Sequence, residues 1–270
     1  MIDRISGRAT EESGRSEYST RTLDHEPGHF MSTLTRTLLV PLIAFCFAGL
    51  FTTSAVQAQS VDVGATLASR YVWRGTDFGD AAAIQPTIEF SQGGFTIGAW
   101  GSFDMSPVSG DGVNENDLYA SYAFDTDFGS FSVFVTDFYF SENDTNDFFD
   151  YDNPGEHVIE PGISYSGPVS LHASINAYGR DDANEIWLEA SYPFSVEDVD
   201  LSLAVGGSPN DDAADNYYGT DADTDAGITK LSLSASKSIE ITDEFSLPIS
   251  ASYYLNPYTP RSYFVFGISL

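Results

Sequence analysis

Alternation of apolar and polar residues with a period of two runs through most of the chain from residue 61 onward. Within 61–73 the odd positions are Val, Val, Ala, Leu, Ser, Tyr and Trp, while the even positions are mostly small or polar. Such alternation predicts strands with one apolar face, and it recurs in about twelve segments of roughly 10 residues. The sequence therefore predicts an all-β fold whose strands are long enough to cross a bilayer at a tilt.

The links between these segments alternate in length. Every second link is short, namely 91–94, 125–129, 166–168, 194–198 and 240–244. The other links include three long polar ones, at 104–116, 141–155 and 208–226. Both chain ends then lie on the short-turn side, an organisation typical of an antiparallel transmembrane β-barrel with short periplasmic turns and longer acidic external loops. A soluble β-sandwich, the alternative, has no reason to show this regularity.

Aromatic residues on the apolar face cluster at the ends of the predicted strands. Those expected near the short turns are Phe90, Phe95, Phe124, Phe131, Tyr165, Tyr192 and Phe245. Those expected near the long loops are Tyr71, Trp73, Phe103, Tyr139 and Tyr253. Two aromatic girdles of this kind mark the membrane interfaces of a barrel.

The N-terminal region reads as a targeting signal. Residues 31–58 have a basic start, an apolar run from Leu38 to Phe51 that is too short to span a membrane, and small residues before Gln59. Residues 1–30 are polar and aperiodic, so we interpret Met31 as the true start and 1–30 as a misassigned extension; a disordered leader is the alternative. The predicted mature barrel is 59–270, and the only cysteine, Cys46, leaves with the signal peptide.

Charge excludes one class of partner. The chain has 11 Lys+Arg against 40 Asp+Glu, so it is not expected to bind nucleic acid through phosphate neutralisation. The acidic segment 210–227 contains the triplet Asp221, Asp223 and Asp225, but its glycine is one position late for a calcium loop and the closing glutamate is missing. A solvated acidic loop is the favoured interpretation, and no metal or other cofactor is predicted.

The stretch "SRYVWRG" places two of the few basic residues, Arg70 and Arg74, on the even face of the first predicted strand. Because a charge facing lipid is costly, both are expected to face the lumen near the long-loop end. The other charged or titratable residues predicted to face inward are Glu89, Glu160, His172, Glu185, Glu189 and Asp200. The arginines either pair with some of these carboxylates and brace the wall, or form a charged constriction that filters solutes.

Inward positions are otherwise mostly small, with many serines, and cannot fill a barrel of about twelve strands. A narrow aqueous passage is expected unless a loop folds into it. A catalytic function is not predicted: His157 lies near a loop, His172 faces the lumen, and neither accompanies a G-x-S-x-G nucleophile motif.

Three segments carry a family resemblance: "YVWRG" (71–75), "AAIQPTIEFSQGGFTIGAWGS" (82–102) and "ENDLYASY" (115–122). They resemble the N-terminal signature of the TorF-like family of bacterial exported proteins, which are classed as porins. Weaker similarity continues through "EPGISY", "INAYGRDD" and "WLEASYPF". The resemblance implies an outer-membrane barrel and transport, without an established substrate or site. Arg70 departs from the family pattern, so the resemblance implies no role for it.

These observations together predict a channel in the bacterial outer membrane for small solutes, cationic or neutral. Its expected partners are membrane lipid, the solutes themselves and the outer-membrane assembly machinery. A structural or adhesive barrel without an open pore is the main alternative, and a surface enzyme is the other. The oligomeric state stays open.

Overall fold

The computed structural model describes residues 59–79, 81–105, 114–140, 148–149, 151, 157–179, 185–209 and 227–270. The chain divides into two units, Met1–Thr53 and Ser54–Leu270, and every described residue belongs to the second. The predicted extension 1–30, the predicted signal peptide 31–58 and the acidic segment 210–226 lie outside the described residues.

The described residues form fourteen β-strands. These are β1 Gln59–Ala68, β2 Val72–Trp73, β3 Thr76–Asp77, β4 Ala83–Gln92, β5 Phe95–Asp104, β6 Glu115–Thr126, β7 Gly129–Phe140, β8 His157–Ser166, β9 Ser170–Ile175, β10 Ile186–Val196, β11 Val199–Ser208, β12 Gly227–Thr242, β13 Phe245–Asn256 and β14 Arg261–Ser269. Within these ranges, no helix is long and apolar enough to cross a membrane.

Twelve strands, all except β2 and β3, close into one antiparallel barrel, which confirms the predicted fold class. Strands that follow one another along the chain are neighbours in the barrel, and β1 closes the sheet against β14 through Thr66–Ala68 and Gly267–Ser269. Backbone hydrogen bonds of 3.1 and 2.8 Å between Ala65 and Leu270 extend this seam to the end of the chain.

The regular alternation of link lengths is present in the structure. Pairs such as β4 and β5, or β6 and β7, are joined by two residues, whereas β7 to β8 and β11 to β12 are joined by long links. Antiparallel neighbours with adjacent ends need only a tight turn. The turns of two or three residues therefore lie at the barrel end that also holds Gln59 and Leu270, and the four-residue link 257–260 between β13 and β14 lies at the other end.

The outward face of the barrel is apolar on every strand. Exposed large apolar side chains occur on β1 to β14 of the barrel, for example Val61, Ile88, Ile97, Leu118, Val133, Ile163, Leu171, Leu188, Leu203, Leu233, Tyr253 and Phe264. The alternating inward positions are mostly polar, small or aromatic. A closed barrel with this polarity leaves no sheet edge and presents apolar side chains around its whole circumference, which suits a hydrocarbon environment.

Part of the predicted aromatic girdle at the short-turn end is visible as a row of ring contacts. Phe124 stacks on Phe131 with 5.8 Å between ring centroids, and Phe131 lies 5.1 Å from Tyr165 on the next strand. At the other end the prediction needs correction. The first barrel strand ends at Ala68 rather than at residue 73, so Arg70, Tyr71, Trp73 and Arg74 do not belong to the wall.

Candidate functional site

Residues 69–79, which we call the lumen hairpin, form a separate two-stranded sheet between β1 and β4. Val72 pairs with Asp77 and Trp73 with Thr76, so the turn consists of Arg74 and Gly75. Both have positive φ, 50° and 84°, the conformation that two-residue hairpin turns require. For arginine this left-handed backbone costs about 1–2 kcal/mol, so other contacts must hold Arg74 in place.

The lumen hairpin touches opposite sides of the barrel wall. The Tyr71 hydroxyl donates to Oε2 of Glu115 on β6 at 2.8 Å. Across the barrel, Oγ1 of Thr229 on β12 donates to the Arg74 carbonyl at 3.0 Å, and Nδ2 of Asn256 on β13 donates to the carbonyl of the other turn residue at 3.2 Å. A segment that contacts β6, β12 and β13 at once has to lie inside the lumen.

The tip of the hairpin fits closely against β12. A Cβ atom built on Gly75 would lie 1.9 Å from the backbone oxygen of Thr229, so no larger residue fits there without displacing the strand. Thr229 is the extra residue of an irregularity in the β11–β12 pairing, where Gly206 pairs with Lys230 and Gly207 with Ile228. This bulge brings the Thr229 side chain to the hairpin.

An ion pair joins the hairpin turn to the wall. Arg74 binds Glu160 on β8 through two parallel hydrogen bonds of 2.7 and 2.8 Å and reaches Oγ of Ser174 on β9 at 3.3 Å. The side chains of Arg74 and Glu160 are only 8% and 2% exposed. The guanidinium also lies over Trp73 and Trp187, at 4.2 and 4.9 Å from their ring centroids. Bidentate pairing in a desolvated site is strong and geometrically specific.

An apolar cluster supports one side of the hairpin. Trp73 and Phe78 pack against the buried residues Phe138, Phe140, Val158 and Trp187 of the wall. On the β5 side, Tyr71 lies 5.5 Å from the rings of both Phe78 and Trp100. The prediction that Tyr71 and Trp73 belong to an outer aromatic girdle is therefore wrong, because both rings are inside the lumen.

Arg70 lies at the base of the hairpin, pairs with Asp77 and approaches the ring of Tyr263 on the inner face of β14 at 5.9 Å. The two arginines thus have different partners, one within the hairpin and one on the wall.

The remaining predicted residues fall on the inward face at different heights. Glu160 and Glu185 are buried in the long-loop half of the barrel. Glu89, His172 and Glu189 are partly exposed in the middle of the lumen, and Asp200 is exposed near a short turn, where it accepts a 2.8 Å hydrogen bond from Ser195. Of these residues, Glu160 is the one that binds Arg74 of the hairpin.

Sequence reasoning missed several inward residues that contact the hairpin or its neighbours. Glu115, Asp117 and Trp187 are buried, and Nζ of Lys230 binds both carboxylate oxygens of Glu189 at 2.8 and 2.9 Å. Asp117, Trp187 and Lys230 each adjoin an outward leucine, and Glu115 lies two positions before Asp117 on the same face. The signal was therefore present, because neighbours of an outward residue point inward. Among the charged inward residues described, carboxylates clearly outnumber cationic side chains.

The short-turn half of the lumen is accessible. Inward serines such as Ser236, Ser238 and Ser250 are exposed. Inward aromatic rings lie against glycines: a Cβ on Gly98 would lie 2.5 Å from the Tyr119 ring, and one on Gly162 would lie 2.2 Å from the Phe134 ring. Because each ring occupies the space a Cβ would take, it lies along the wall instead of crossing the lumen.

His157 lies on the outward face near the long-loop end. Its Nδ1 contacts Asp137 and its Nε2 contacts the Phe148 carbonyl, both at 2.9 Å, and its ring stacks on Tyr151 at 4.0 Å. Burial raises the pKa of the Tyr151 hydroxyl, and its hydrogen bond to Asp137 raises it further. Both His157 ring nitrogens are thus engaged, which disfavours a role as general base.

The same aromatic group corrects a second girdle prediction. Tyr139 points outward, as predicted, but it is only 2% exposed because Phe148 and His157 cover it. In the part of the chain that the structure describes, no group of three or more His, Cys, Asp or Glu side chains could hold a metal ion. The structure does not test whether 210–227 binds calcium, because 210–226 lie outside the described ranges.

Comparisons with known proteins give a family and distant structural likenesses. The comparison with curated proteins finds no significant match. A solved structure described as "Unveiling the Mechanism Behind the in-meso Crystallization of Membrane Proteins" has a TM-score of 0.45 and 9% identity, over 79% of this chain and 83% of that one. This likeness is too remote to bear on function. The Gcw_chp family model matches residues 52–245, so the chain belongs to the Gcw_chp family, a bacterial protein family of unknown function.

Proposed function

We propose that the chain is a channel of the bacterial outer membrane for small cationic or neutral solutes, with the lumen hairpin as a plug. The observation that carries this proposal is the way the lumen is filled. One short segment occupies its long-loop half, while the short-turn half keeps an accessible polar wall. A barrel whose only task were structural would be expected to fill its interior with side chains from the wall.

The polarity of the barrel supports the location. Apolar residues cover the outward face of every barrel strand, and the strands are long enough to cross a hydrocarbon layer at a tilt. The proposal includes export through a cleaved signal peptide and insertion by the outer-membrane assembly machinery. The resemblance to the TorF-like porins supports this route.

Charge supports the choice of solute. Inward carboxylates that reach the solvent-accessible lumen, such as Asp62, Glu89 and Asp200, outnumber the inward cations there, and Lys230 is already paired. Such a field concentrates cations and repels anions. The engaged ring nitrogens of His157 favour a channel over a surface enzyme.

A barrel that stays plugged, with a structural or adhesive role, is the second candidate. The buried pair Arg74–Glu160 favours it, because such a contact holds the hairpin firmly. A variant in which a glycine–serine linker of equal length replaces 70–78 distinguishes the channel from the structural barrel. The measurement is single-channel current in a planar bilayer. A channel predicts larger and more frequent currents from the linker variant than from the wild type. A folded linker variant without current would assign the structural role.

A further inference from the structure

A row of neighbouring side chains follows the inner wall directly below the lumen hairpin. It consists of Glu89 on β4, Tyr119 on β6, Phe134 on β7, His172 on β9 and Glu189 on β10, and we call it the lumen band. The band adjoins the hairpin through β9, where Nε2 of its histidine lies 3.3 Å from the Oγ of Ser174 that also contacts Arg74.

The lumen band consists of two contacting groups that lie next to each other on the wall. In the first group, the Tyr119 hydroxyl donates to Oε1 of Glu89 at 2.8 Å. Phe134 of the second group is diagonal to Tyr119 across the β6–β7 pair, and the two rings lean to opposite sides, over Gly162 and Gly98. Phe134 stacks on His172 at 5.0 Å between ring centroids, and His172 pairs directly with Glu189 across β9 and β10.

The two aromatic rings of the band lie along the wall because each covers a glycine of a neighbouring strand. Tyr119 covers Gly98, and Phe134 covers Gly162. Rings held in this way leave the middle of the lumen free, and both remain partly exposed. A solute that enters from the short-turn end can therefore reach the exposed part of each ring.

The charge of the band is concentrated at one carboxylate. Both oxygens of Glu189 are engaged by Lys230, so that pair is internally neutralised. Glu89 uses Oε1 for Tyr119, and among the described residues none donates a hydrogen bond to its Oε2. The band thus places the Tyr119 ring beside one carboxylate oxygen to which no described residue donates.

We propose that the lumen band binds small organic ammonium ions, with choline as the simplest probe. Aromatic faces attract quaternary ammonium groups through the ring quadrupole, and a nearby carboxylate adds Coulomb attraction. An anion would meet Glu89 and the surrounding inward carboxylates, while a neutral molecule of the same shape would lose both attractions. This inference rests on the proposed channel function and names the solute class that the channel takes.

Equilibrium dialysis tests the site by measuring how much labelled choline binds to the folded mature barrel in detergent micelles. This assay does not depend on ion conduction through the barrel. The neutral isostere 3,3-dimethylbutan-1-ol should bind at least about 10-fold more weakly than choline, because it lacks the charge. E89Q should weaken choline binding by about 10-fold, and Tyr119→Leu, which removes the ring beside Glu89, by several-fold. The matched control Asp200→Asn removes an inward carboxylate outside the band and should change binding less than about twofold.

Gel mobility before and after heating shows that each variant is a folded barrel. Equal binding of choline and its neutral isostere, equal effects of E89Q and D200N, or no saturable choline binding by the folded wild type would each overturn the inference. Choline binding by a barrel that never conducts, even without the hairpin, would overturn the channel while leaving the lumen band as a binding site. Conduction without choline binding would overturn the lumen band as a binding site while leaving the channel function.

Discussion

Removing the Glu160 charge should release the lumen hairpin while leaving the barrel intact. Glu160→Gln keeps the side-chain shape but leaves the Arg74 guanidinium without its carboxylate partner in a buried site. Breaking a buried ion pair on one side costs about 3–5 kcal/mol. The glutamine carbonyl still accepts one hydrogen bond, which offsets about 1 kcal/mol.

The expected loss is therefore about 2–4 kcal/mol of hairpin docking free energy, or about 30- to 900-fold in the ratio of docked to released hairpin. The cost falls on docking rather than on the barrel, because the strand-to-strand hydrogen bonds of β8 do not involve the carboxylate. Left-handed strain at Arg74 acts in the same direction, since release relieves it.

Hydrogen exchange and conductance measure this release. Amides of 69–79, including the Phe78 amide that donates to the Tyr71 carbonyl, should exchange faster by a factor of this size, because exchange reports local opening. Open-channel probability in a planar bilayer should rise in parallel. Asp200→Asn, which removes an inward carboxylate far from the hairpin, should change neither.

The double variant Arg74→Gln/Glu160→Gln sharpens the test. With both charges gone, neither position carries an uncompensated charge, so this protein should be closer to the wild type than Glu160→Gln alone. Two results would contradict this expectation: the amides of 69–79 exchange as slowly in Glu160→Gln as in the wild type, or they exchange faster in the double variant than in Glu160→Gln. Either result would show that the ion pair does not hold the hairpin in the lumen.

Four further outcomes are expected. Gly75→Ala should lower the docking free energy of the hairpin by a few kcal/mol, since the alanine Cβ would collide with the Thr229 oxygen. Faster hydrogen exchange of the amides of 69–79 would show this loss. Reversal potentials across a salt gradient should show cation preference, and anion preference would contradict the charge argument. An epitope tag at Asp215 should be reached by antibody on intact cells and one at Gly167 should not, whereas the opposite labelling would invert the barrel. N-terminal sequencing of the exported protein should begin at Gln59; retention of residues 1–30 would refute the signal-peptide interpretation.

Period-two alternation was sufficient to predict most of the barrel. In β12, for example, Leu231 and Leu233 point outward and Ser232 and Ser234 inward, because successive strand side chains face opposite sides. The alternating lengths of the links predicted which barrel end carries the turns. These are local properties, so they can be read without knowing any long-range contact.

The same rule failed at "SRYVWRG". Alternation continues from residue 61 to Trp73 with two exceptions, Ser69 on the apolar face and Val72 on the polar face, yet the wall ends at Ala68. Such exceptions are too weak to mark the end of the strand, and the turn at Arg74 and Gly75 is stabilised by residues far along the chain, namely Glu160, Thr229 and Asn256. The left-handed arginine is favourable only once those partners surround it.

The sequence by itself therefore determined the strand number, the polarity of the two faces and the inward direction of most charged residues. Only the tertiary structure decided which inward residues meet. Glu160 and Arg74 are 86 positions apart along the chain, and their pairing depends on barrel closure and on a hairpin that folds back into the lumen. Whether a side chain points inward follows from its position in its own strand. Which side chains contact each other depends on the closed sheet, because closure brings distant strands to one cavity.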